Sequence, residues 1–423
     1  MDRRIQELIE FTKIKFGLSN YYLQRHRLYR NVNIFNETSY TLSMEWFPKH
    51  ETVHEDDDSN PEGTASIEIN VNTRKFESAI FVLGKTYAKD GITFANLDTK
   101  AIIKWIEQET GLKYGKQFQL HKEEEGELQF IGCYNGVPFS PSGSIEVKFD
   151  LEGKLTSFSA YGQFPVREWI REENYSLSLG KIEHIARGQL KLLHFPSFEQ
   201  ERLIPIYALE EIYVENDGAS TIPFEIIADV NSYLKINKTI HWDEPLDRPF
   251  DRKEIKWMKD ISEDQAFSLE PSPDSSPITK AEQEKCISEV KDFLRQEYPN
   301  DTGKWMLKTL HREKGYIHAI LRANKQSQHV FQRKLMIIID AKTLRAVNYM
   351  DNKPMLEMYD QFQAPGPIMI SKEEAYEKLN DQFELNPYYV YDFDRKQYVL
   401  CGKFDCQFGV NASTGEVVAL KDL

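Results

Sequence analysis

The sequence has little cysteine, no long apolar run and none of the short glycine motifs that hold nucleotides. Four cysteines in 423 residues are too few for the disulfide framework of a secreted scaffold. We find no G-x-S-x-G elbow, no phosphate-binding glycine loop and no dinucleotide fingerprint. No apolar run approaches membrane-spanning length. These absences argue against a disulfide-rich protein, a nucleotide-dependent enzyme and a membrane-spanning protein.

Positive charge is also in short supply. The chain has 53 Lys and Arg residues against 67 Asp and Glu residues, which gives a net charge of −14. Nucleic acid and anionic membrane surfaces repel such a chain, so we expect neither as a partner. Residues 1–18 carry early arginines, but Glu7 and Glu10 interrupt the apolar positions and no small-residue cleavage site follows. We therefore expect no signal peptide and a cytoplasmic location.

Residues 370–420 follow a plan of one helix and three strands. Ser371 and Glu374 have the spacing of a capping box, which predicts a helix start. Aromatic residues that alternate from Tyr389 onward predict a strand. Polar residues 413–415 predict the turn of a hairpin. The segment is predicted to be a helix that packs on a small antiparallel sheet.

Parts of this plan recur upstream. Thr279 and Glu282 repeat the capping box, and Ser262 and Gln265 repeat it in shorter form. An apolar strand followed by Asp or Asn and a polar turn recurs at Asn72, Asp150, Asp229, Asp340 and Asn411. This hairpin pattern predicts an α+β fold of about five tandem units in two groups. Each unit is predicted to be one helix packed on a small antiparallel sheet.

Two stretches resemble known families. The I-S-x-E-x-A motif of residues 370–375 and the V-N-A-S-T-G-E-V of residues 410–417 resemble a PepSY domain. Residues 279–350 match less closely, because Leu344 stands at the place of the turn glycine. Residues 98–162 are similar to the YcdB/YcdC-type repeats of Gram-positive bacteria, which are PepSY-like. The resemblance implies binding or regulation of a peptidase and carries over no catalytic residue.

Proline and charge mark the best domain boundary. Five prolines fall between Trp242 and Ile278. Because proline lacks an N–H donor and fixes φ, we expect few long-range hydrogen bonds in this stretch. The predicted domains are three units at 1–242, a proline-rich charged linker at 243–277 and two units at 278–423. In the third unit, a helix from Leu179 to Leu193 precedes strands at 204–214 and 224–229.

The most specific chemical motif is the HExxH of residues 50–54. In zinc peptidases this spacing places two imidazoles on the metal and the glutamate beside its water, because residues four apart share one helix face. Pro48 precedes the motif and an acidic run follows at residues 55–58, which predicts an exposed loop between strands instead. We therefore expect no catalytic, cofactor or metal site, although His50 and His54 are the candidate metal ligands.

Two further features have ordinary structural explanations. Cys401 and Cys406 lack a C-x-x-C spacing, so we expect buried, inert thiols. The basic and aromatic residues 21–30 have the composition of a phosphate or RNA contact. A sheet strand with one solvated face explains them equally well, and the net charge favours that interpretation.

The sequence therefore predicts a non-enzymatic binding or regulatory protein without a cofactor. Its expected partner is a protein or an extended peptide, which pairs with an exposed sheet edge. One alternative is a metal-dependent hydrolase built on His50, Glu51 and His54. Another is a structural scaffold. The residues alone leave both alternatives open.

Overall fold

The computed structural model describes residues 1–50, 60–95, 98–224, 233–257, 260–324 and 328–423. The α-helices of these residues are α1 (Arg3–Lys15), α2 (Thr99–Thr110), α3 (Leu179–Gln189), α4 (Glu263–Phe267), α5 (Lys280–Glu297), α6 (Lys353–Glu357) and α7 (Lys372–Leu379). No helix in these ranges is long and apolar enough to cross a membrane.

The strands fall between these helices. After α1 come β1 (Tyr21–Val32), β2 (Thr38–Pro48), β3 (Ala65–Asn70) and β4 (Phe76–Phe81). After α2 come β5 (Phe118–Glu124), β6 (Glu127–Tyr134), β7 (Val137–Ser140), β8 (Ser144–Phe149) and β9 (Leu155–Tyr161). After α3 come β10 (Leu190–Ser197), β11 (Arg202–Leu209), β12 (Ile212–Glu215), β13 (Thr221–Pro223) and β14 (Leu234–Ile240). After α5 come β15 (Trp305–Glu313), β16 (Tyr316–Ala323), β17 (Lys334–Asp340) and β18 (Ala346–Asp351), and after α7 come β19 (Glu384–Asp392), β20 (Gln397–Asp405), β21 (Phe408–Asn411) and β22 (Val417–Ala419).

These strands form one sheet of 13 strands and two smaller sheets. The large sheet has the order β1-β2-β3-β4-β9-β8-β6-β7-β19-β20-β12-β13, and β5 pairs with β6. The smaller sheets have the orders β10-β11-β21-β22 and β14-β15-β16-β17-β18. The large sheet is mixed, because β7 and β19 pair in parallel whereas β1 and β2 pair antiparallel.

This topology contradicts the predicted fold class of tandem units, each with one helix on its own small antiparallel sheet. β4 and β9 come from the first and second predicted units, yet they pair through Ser78 and Ser159. β11 pairs with β21, which joins the third predicted unit to the fifth. A small sheet leaves N–H and C=O groups unpaired at both edges, and edge-to-edge pairing satisfies them. The repeated sequence pattern therefore predicts where individual strands form, but it does not predict which sheet each strand joins.

The predicted capping boxes are confirmed. The hydroxyls of Thr279 and Ser371 accept hydrogen bonds from the backbone N–H three residues later, and the Glu at that position accepts from the cap N–H in return. Ser262 and Gln265 do the same at the start of α4. Each cap satisfies N–H groups that have no partner inside the helix. The short polar motif thus fixes where each helix begins.

The hairpin turns at Asp150, Asp340 and Asn411 are also confirmed. Each side chain accepts hydrogen bonds from backbone N–H groups two or more residues further on, at distances of 2.8–3.2 Å. Such Asx turns replace the missing ladder bonds where the chain reverses. They connect β8 to β9, β17 to β18 and β21 to β22.

The third predicted unit is partly wrong. Its helix was expected to continue to Leu193, but α3 ends at Gln189 and β10 begins at Leu190. Residues 190–195 pair with β11 in register, from Leu190 opposite Leu209 to Phe195 opposite Ile204, and this pairing outweighs their helical propensity. The strand expected at 224–229 lies mostly outside the described residues, as does the hairpin turn expected at Asp229.

The chain divides into two compact units. The first comprises Met1–Glu172, Lys259–Ser275 and Tyr388–Val399, and the second comprises Glu173–Met258, Ser276–Pro387 and Leu400–Leu423. The first unit holds a hydrophobic core that lies among α1, α2 and the strands β1–β6, β8 and β9. The second holds two cores, one beside α3 and α7 and one beside α5. The predicted fragments 1–242 and 278–423 do not coincide with these units, and their independent folding stays a prediction.

The proline-rich stretch forms more long-range hydrogen bonds than expected. In the second unit, the Lys253 N–H donates to the Val347 carbonyl at 2.8 Å. In the first unit, the Tyr40 hydroxyl donates to the Glu270 carbonyl at 2.6 Å, and the Ser272 N–H donates to Thr38 Oγ1 at 2.8 Å. Proline removes only its own donor, so the residues between the prolines still pair with their surroundings. The expectation of few such bonds is wrong.

Candidate functional site

The basic and aromatic segment at residues 21–30 lies in β1, which ends the order of the large sheet. β1 is a 12-residue strand that pairs antiparallel with β2, from Tyr21 opposite Pro48 to Val32 opposite Thr38. On its other edge, no strand of the described residues pairs with it. A long edge strand presents a row of N–H and C=O groups to which an extended chain can add.

A β-bulge explains which side chains of β1 face the core. Tyr21 and Leu28 are both buried in the core of the first unit, although they are seven positions apart. In a regular strand an odd spacing would place them on opposite faces. The pairing register shifts between Leu23 and Arg25, so Gln24 is an extra residue. The bulge restores the inward direction for both halves of the strand.

The exposed side chains of β1 are basic and aromatic. The strand carries Arg25, His26, Arg27 and Arg30, which we call the basic edge, and it has no acidic residue. The Arg25 guanidinium binds the Glu45 carboxylate through two contacts of 2.6 and 2.7 Å. Tyr22 and Tyr29 on the same strand are each 38% exposed. Arg27 pairs with Asp260 at 3.5 Å. The basic edge therefore combines flat apolar surface with basic groups, two of which already have a carboxylate partner within the chain.

The predicted HExxH residues are only partly described. His50 follows β2, and its ring contacts the Tyr87 ring edge-on with a centroid separation of 4.3 Å. Glu51 and His54 lie outside the described residues. The interpretation of this motif as an exposed loop without a metal therefore stays a prediction.

The structure also brings together three side chains that the sequence analysis missed. The ligand atoms of His311, Glu313 and His318 lie within 4.8 Å of one another. Lys314 and Gly315 form the two-residue turn between β15 and β16, with φ values of 50° and 83°. Positive φ at both central positions is the signature of a tight hairpin. His311 is therefore the direct cross-strand partner of His318.

Strand geometry puts these three side chains on one face of their sheet. His311 and Glu313 are two residues apart on β15, so they point the same way, and cross-strand partners also share a face. His311 Nε2 is 3.9 Å from Glu313 Oε2, and His318 Nδ1 is 3.5 Å from the same oxygen. The two imidazole rings have a centroid separation of 4.9 Å. A carboxylate oxygen thus faces both histidines.

Burial controls the charge of His318. Its side chain is only 4% exposed, and the Trp257 ring lies 6.0 Å from its ring. Burial is the main cause that lowers the pKa of His318 to about 4, with smaller contributions from His311 and Lys314. The imidazole is therefore neutral at pH 7, and its nitrogens can act as metal ligands.

A signal for this cluster was present in the sequence, because H-x-E followed by Lys-Gly and a second His is a hairpin pattern.

The prediction that Cys401 and Cys406 are buried is confirmed. All four lie in the described part of the chain, are buried and form no disulfide. Burial raises the pKa of the Cys406 thiol above its usual range, which disfavours the reactive thiolate. These residues are core side chains.

Comparisons with known proteins do not identify a family. No protein-family model matches the chain, and no curated protein matches it. A solved structure, the Bacillus megaterium YpeB C-terminal domain, aligns with 83% of this chain and 97% of its own chain, with 9% identity and a TM-score of 0.25. That similarity is too weak to support a fold or a function. The resemblance to PepSY and YcdB/YcdC-type repeats therefore stays a prediction.

Proposed function

We propose that this chain is a non-enzymatic binding protein that takes up an extended acidic peptide along the outer edge of β1. The observation that carries the proposal is the length of that edge, because β1 has 12 residues and ends its sheet. The peptide adds as a further strand through main-chain hydrogen bonds, and alternate side chains supply selectivity. Because of the resemblance to PepSY modules, we further propose that the extended acidic segment belongs to a peptidase.

The basic edge determines the charge of the partner. Arginines and a bulge are the usual devices that stop an edge strand from pairing with a copy of itself, because like charges repel. The same arginines attract a segment that carries Asp or Glu at alternate positions. The net charge of −14 does not cancel this attraction, because charges more than about 8 Å away are largely screened at physiological salt.

Peptide binding can be tested with a fluorescent peptide of alternating glutamate and valine, followed by anisotropy. We expect it to bind, and we expect the same peptide N-methylated at every backbone amide to bind at least about 10-fold weaker. Each lost main-chain bond costs about 0.5–1.5 kcal/mol, and several are lost together. Mass spectrometry should recover the peptide intact, as expected for a protein that does not hydrolyse it.

Two controls separate strand addition from general charge attraction. A peptide of alternating lysine and valine should not bind, and the double variant Arg25→Ala, Arg30→Ala should weaken binding of the acidic peptide about 5-fold. The control is Lys148→Ala on the internal strand β8. The Lys148 side chain is a cation that is 42% exposed, and its removal should leave peptide binding unchanged. Equal affinity for the N-methylated peptide would contradict the proposal, and binding by none of the peptides would favour a scaffold.

A further inference from the structure

The hairpin of β15 and β16 has the geometry of a three-ligand metal centre. We propose that His311, Glu313 and His318 bind a divalent transition-metal ion such as Zn²⁺, through one ring nitrogen of each histidine and a carboxylate oxygen. Two ligands lie on β15 and the third lies directly across the turn on β16. The hairpin belongs to the second unit, whereas the basic edge belongs to the first. The metal-site proposal and the peptide-binding proposal can therefore be tested independently.

The distances are close to those that a bound ion requires. Zinc binds histidine nitrogen and carboxylate oxygen at about 2.0–2.2 Å, so two ligands of a tetrahedral site lie about 3.4 Å apart. Glu313 Oε2 is 3.5 Å from His318 Nδ1 and 3.9 Å from His311 Nε2. The ligand atoms of the two histidines lie within 4.8 Å of each other, so binding needs them to approach by up to about 1.4 Å through side-chain rotation.

His318 is the most buried member of this cluster. Its side chain is more than nine-tenths buried, and its Nε2 atom has no hydrogen-bond partner among the described residues. Buried side-chain nitrogens are normally bonded. The unpaired Nε2 belongs to the same ring as Nδ1, the nitrogen that faces Glu313 at 3.5 Å.

The ligand set indicates the class of metal. Two imidazoles with one carboxylate suit zinc and similar transition metals, whereas calcium and magnesium prefer oxygen ligands throughout. The Glu313 side chain is 35% exposed, which leaves a route from solvent and a position for a fourth ligand. The nearby Lys314 ammonium opposes cation binding, and the Glu313 carboxylate offsets it. An ion held this way cross-links the two strands across their turn.

Zinc binding can be measured by calorimetry on the full chain after metal is removed with a chelator. We expect one Zn²⁺ to bind at the cluster, and Co²⁺ to give the visible absorption of a four-coordinate site. His311→Ala and Glu313→Gln should each weaken Zn²⁺ binding by about 100-fold or more. Loss of an outer hydrogen-bond partner already costs about 10–100-fold, and a direct ligand contributes more.

The chain offers a matched control and a competing site. His121 and Glu123 on β5 have the same spacing as His311 and Glu313 but no third ligand across the turn. The double variant His121→Ala, Glu123→Gln should therefore bind Zn²⁺ like the original chain. The double variant His50→Ala, His54→Ala should do the same. If it abolishes binding instead, the metal belongs to the HExxH motif and the hairpin site is wrong.

Folding must be checked apart from metal. Circular dichroism and thermal unfolding without zinc should be unchanged for Glu313→Gln, which keeps the size of the side chain at a part-exposed position. Added Zn²⁺ should raise the unfolding temperature of the original chain and not that of this variant. Unchanged affinity in His311→Ala and Glu313→Gln, or no binding by the folded original chain, would overturn the proposal.

Discussion

Phe158→Ala is expected to lower the free energy of unfolding by about 3–5 kcal/mol, the range for removal of a buried aromatic side chain. Phe158 is fully buried on β9. Its strand lies between β4 and β8, where Phe158 pairs with Ala79 on one side and Val147 on the other. The Trp105 ring of α2 packs edge-on against it at 5.0 Å. The truncation leaves a cavity at the contact between helix and sheet, which these neighbours cannot refill.

Urea unfolding followed by tryptophan fluorescence and far-ultraviolet circular dichroism measures this loss. Leu151→Ala is the matched control, because Leu151 lies in the turn before β9 and is 88% exposed. It should change the free energy of unfolding by less than about 0.5 kcal/mol. Equal effects of the two substitutions would show that β9 does not lie in the core of the first unit.

Arg333→Met is expected to destabilise the second unit by about 3 kcal/mol at pH 7. The Arg333 guanidinium makes a two-point contact with the Asp351 carboxylate, in which Nη1 faces Oδ1 and Nη2 is 2.8 Å from Oδ2. The two side chains are only 21% and 14% exposed. Removing the cation leaves a poorly solvated carboxylate without its charge partner, which is the costly way to break such a pair. Thermal unfolding at pH 7 measures the effect.

Lys353→Met is the control for this substitution. Lys353 pairs with Glu357 one helical turn away, and both side chains are more than half exposed. Surface pairs of this kind contribute about 0.3–0.5 kcal/mol. A loss after Lys353→Met as large as that after Arg333→Met would mean that burial of the Asp351 pair does not matter.

The effect of Arg333→Met should also depend on pH. Burial tends to raise the pKa of Asp351, but hydrogen bonds from Arg333, Tyr298 and the Lys353 N–H outweigh it, and the pKa lies below its usual value. A lowered carboxyl pKa stabilises the fold above the unfolded value of about 3.9, and the stabilisation disappears as pH falls through the folded pKa. The difference in stability between the two proteins should therefore shrink as pH falls from about 5 towards 3. If the difference in stability between the two proteins stayed constant over this pH range, the Asp351 carboxylate would not be the cause of the destabilisation.

Local signals in the sequence predicted local structure well. The capping boxes at Thr279 and Ser371 and the Asx turns at Asp150, Asp340 and Asn411 depend on side chains that bond their own neighbourhood. Such contacts span a few residues, so a short motif specifies them. The end of α3 was misjudged, because pairing of Leu190–Ser197 with β11 is a contact that no local pattern reveals.

Sheet membership could not be predicted, because it depends on which strand edges meet. The pairing of β4 with β9 and of β11 with β21 joins residues far apart in the sequence. Alternation gives the face of each side chain but not the identity of the neighbouring strand. The His311, Glu313 and His318 cluster was missed although its signal is local, because the Lys314-Gly315 turn sets the register that brings these side chains together.

The most direct test of the proposed function is amide hydrogen exchange with and without the acidic peptide. If the peptide adds to the outer edge, it bonds alternate N–H groups of β1, and their exchange should slow. We expect protection across residues 22–30 and no change in the shorter edge strands β5 and β14. The N-methylated peptide should give no protection. Protection that spares β1, or equal protection by both peptides, would contradict strand addition at the basic edge.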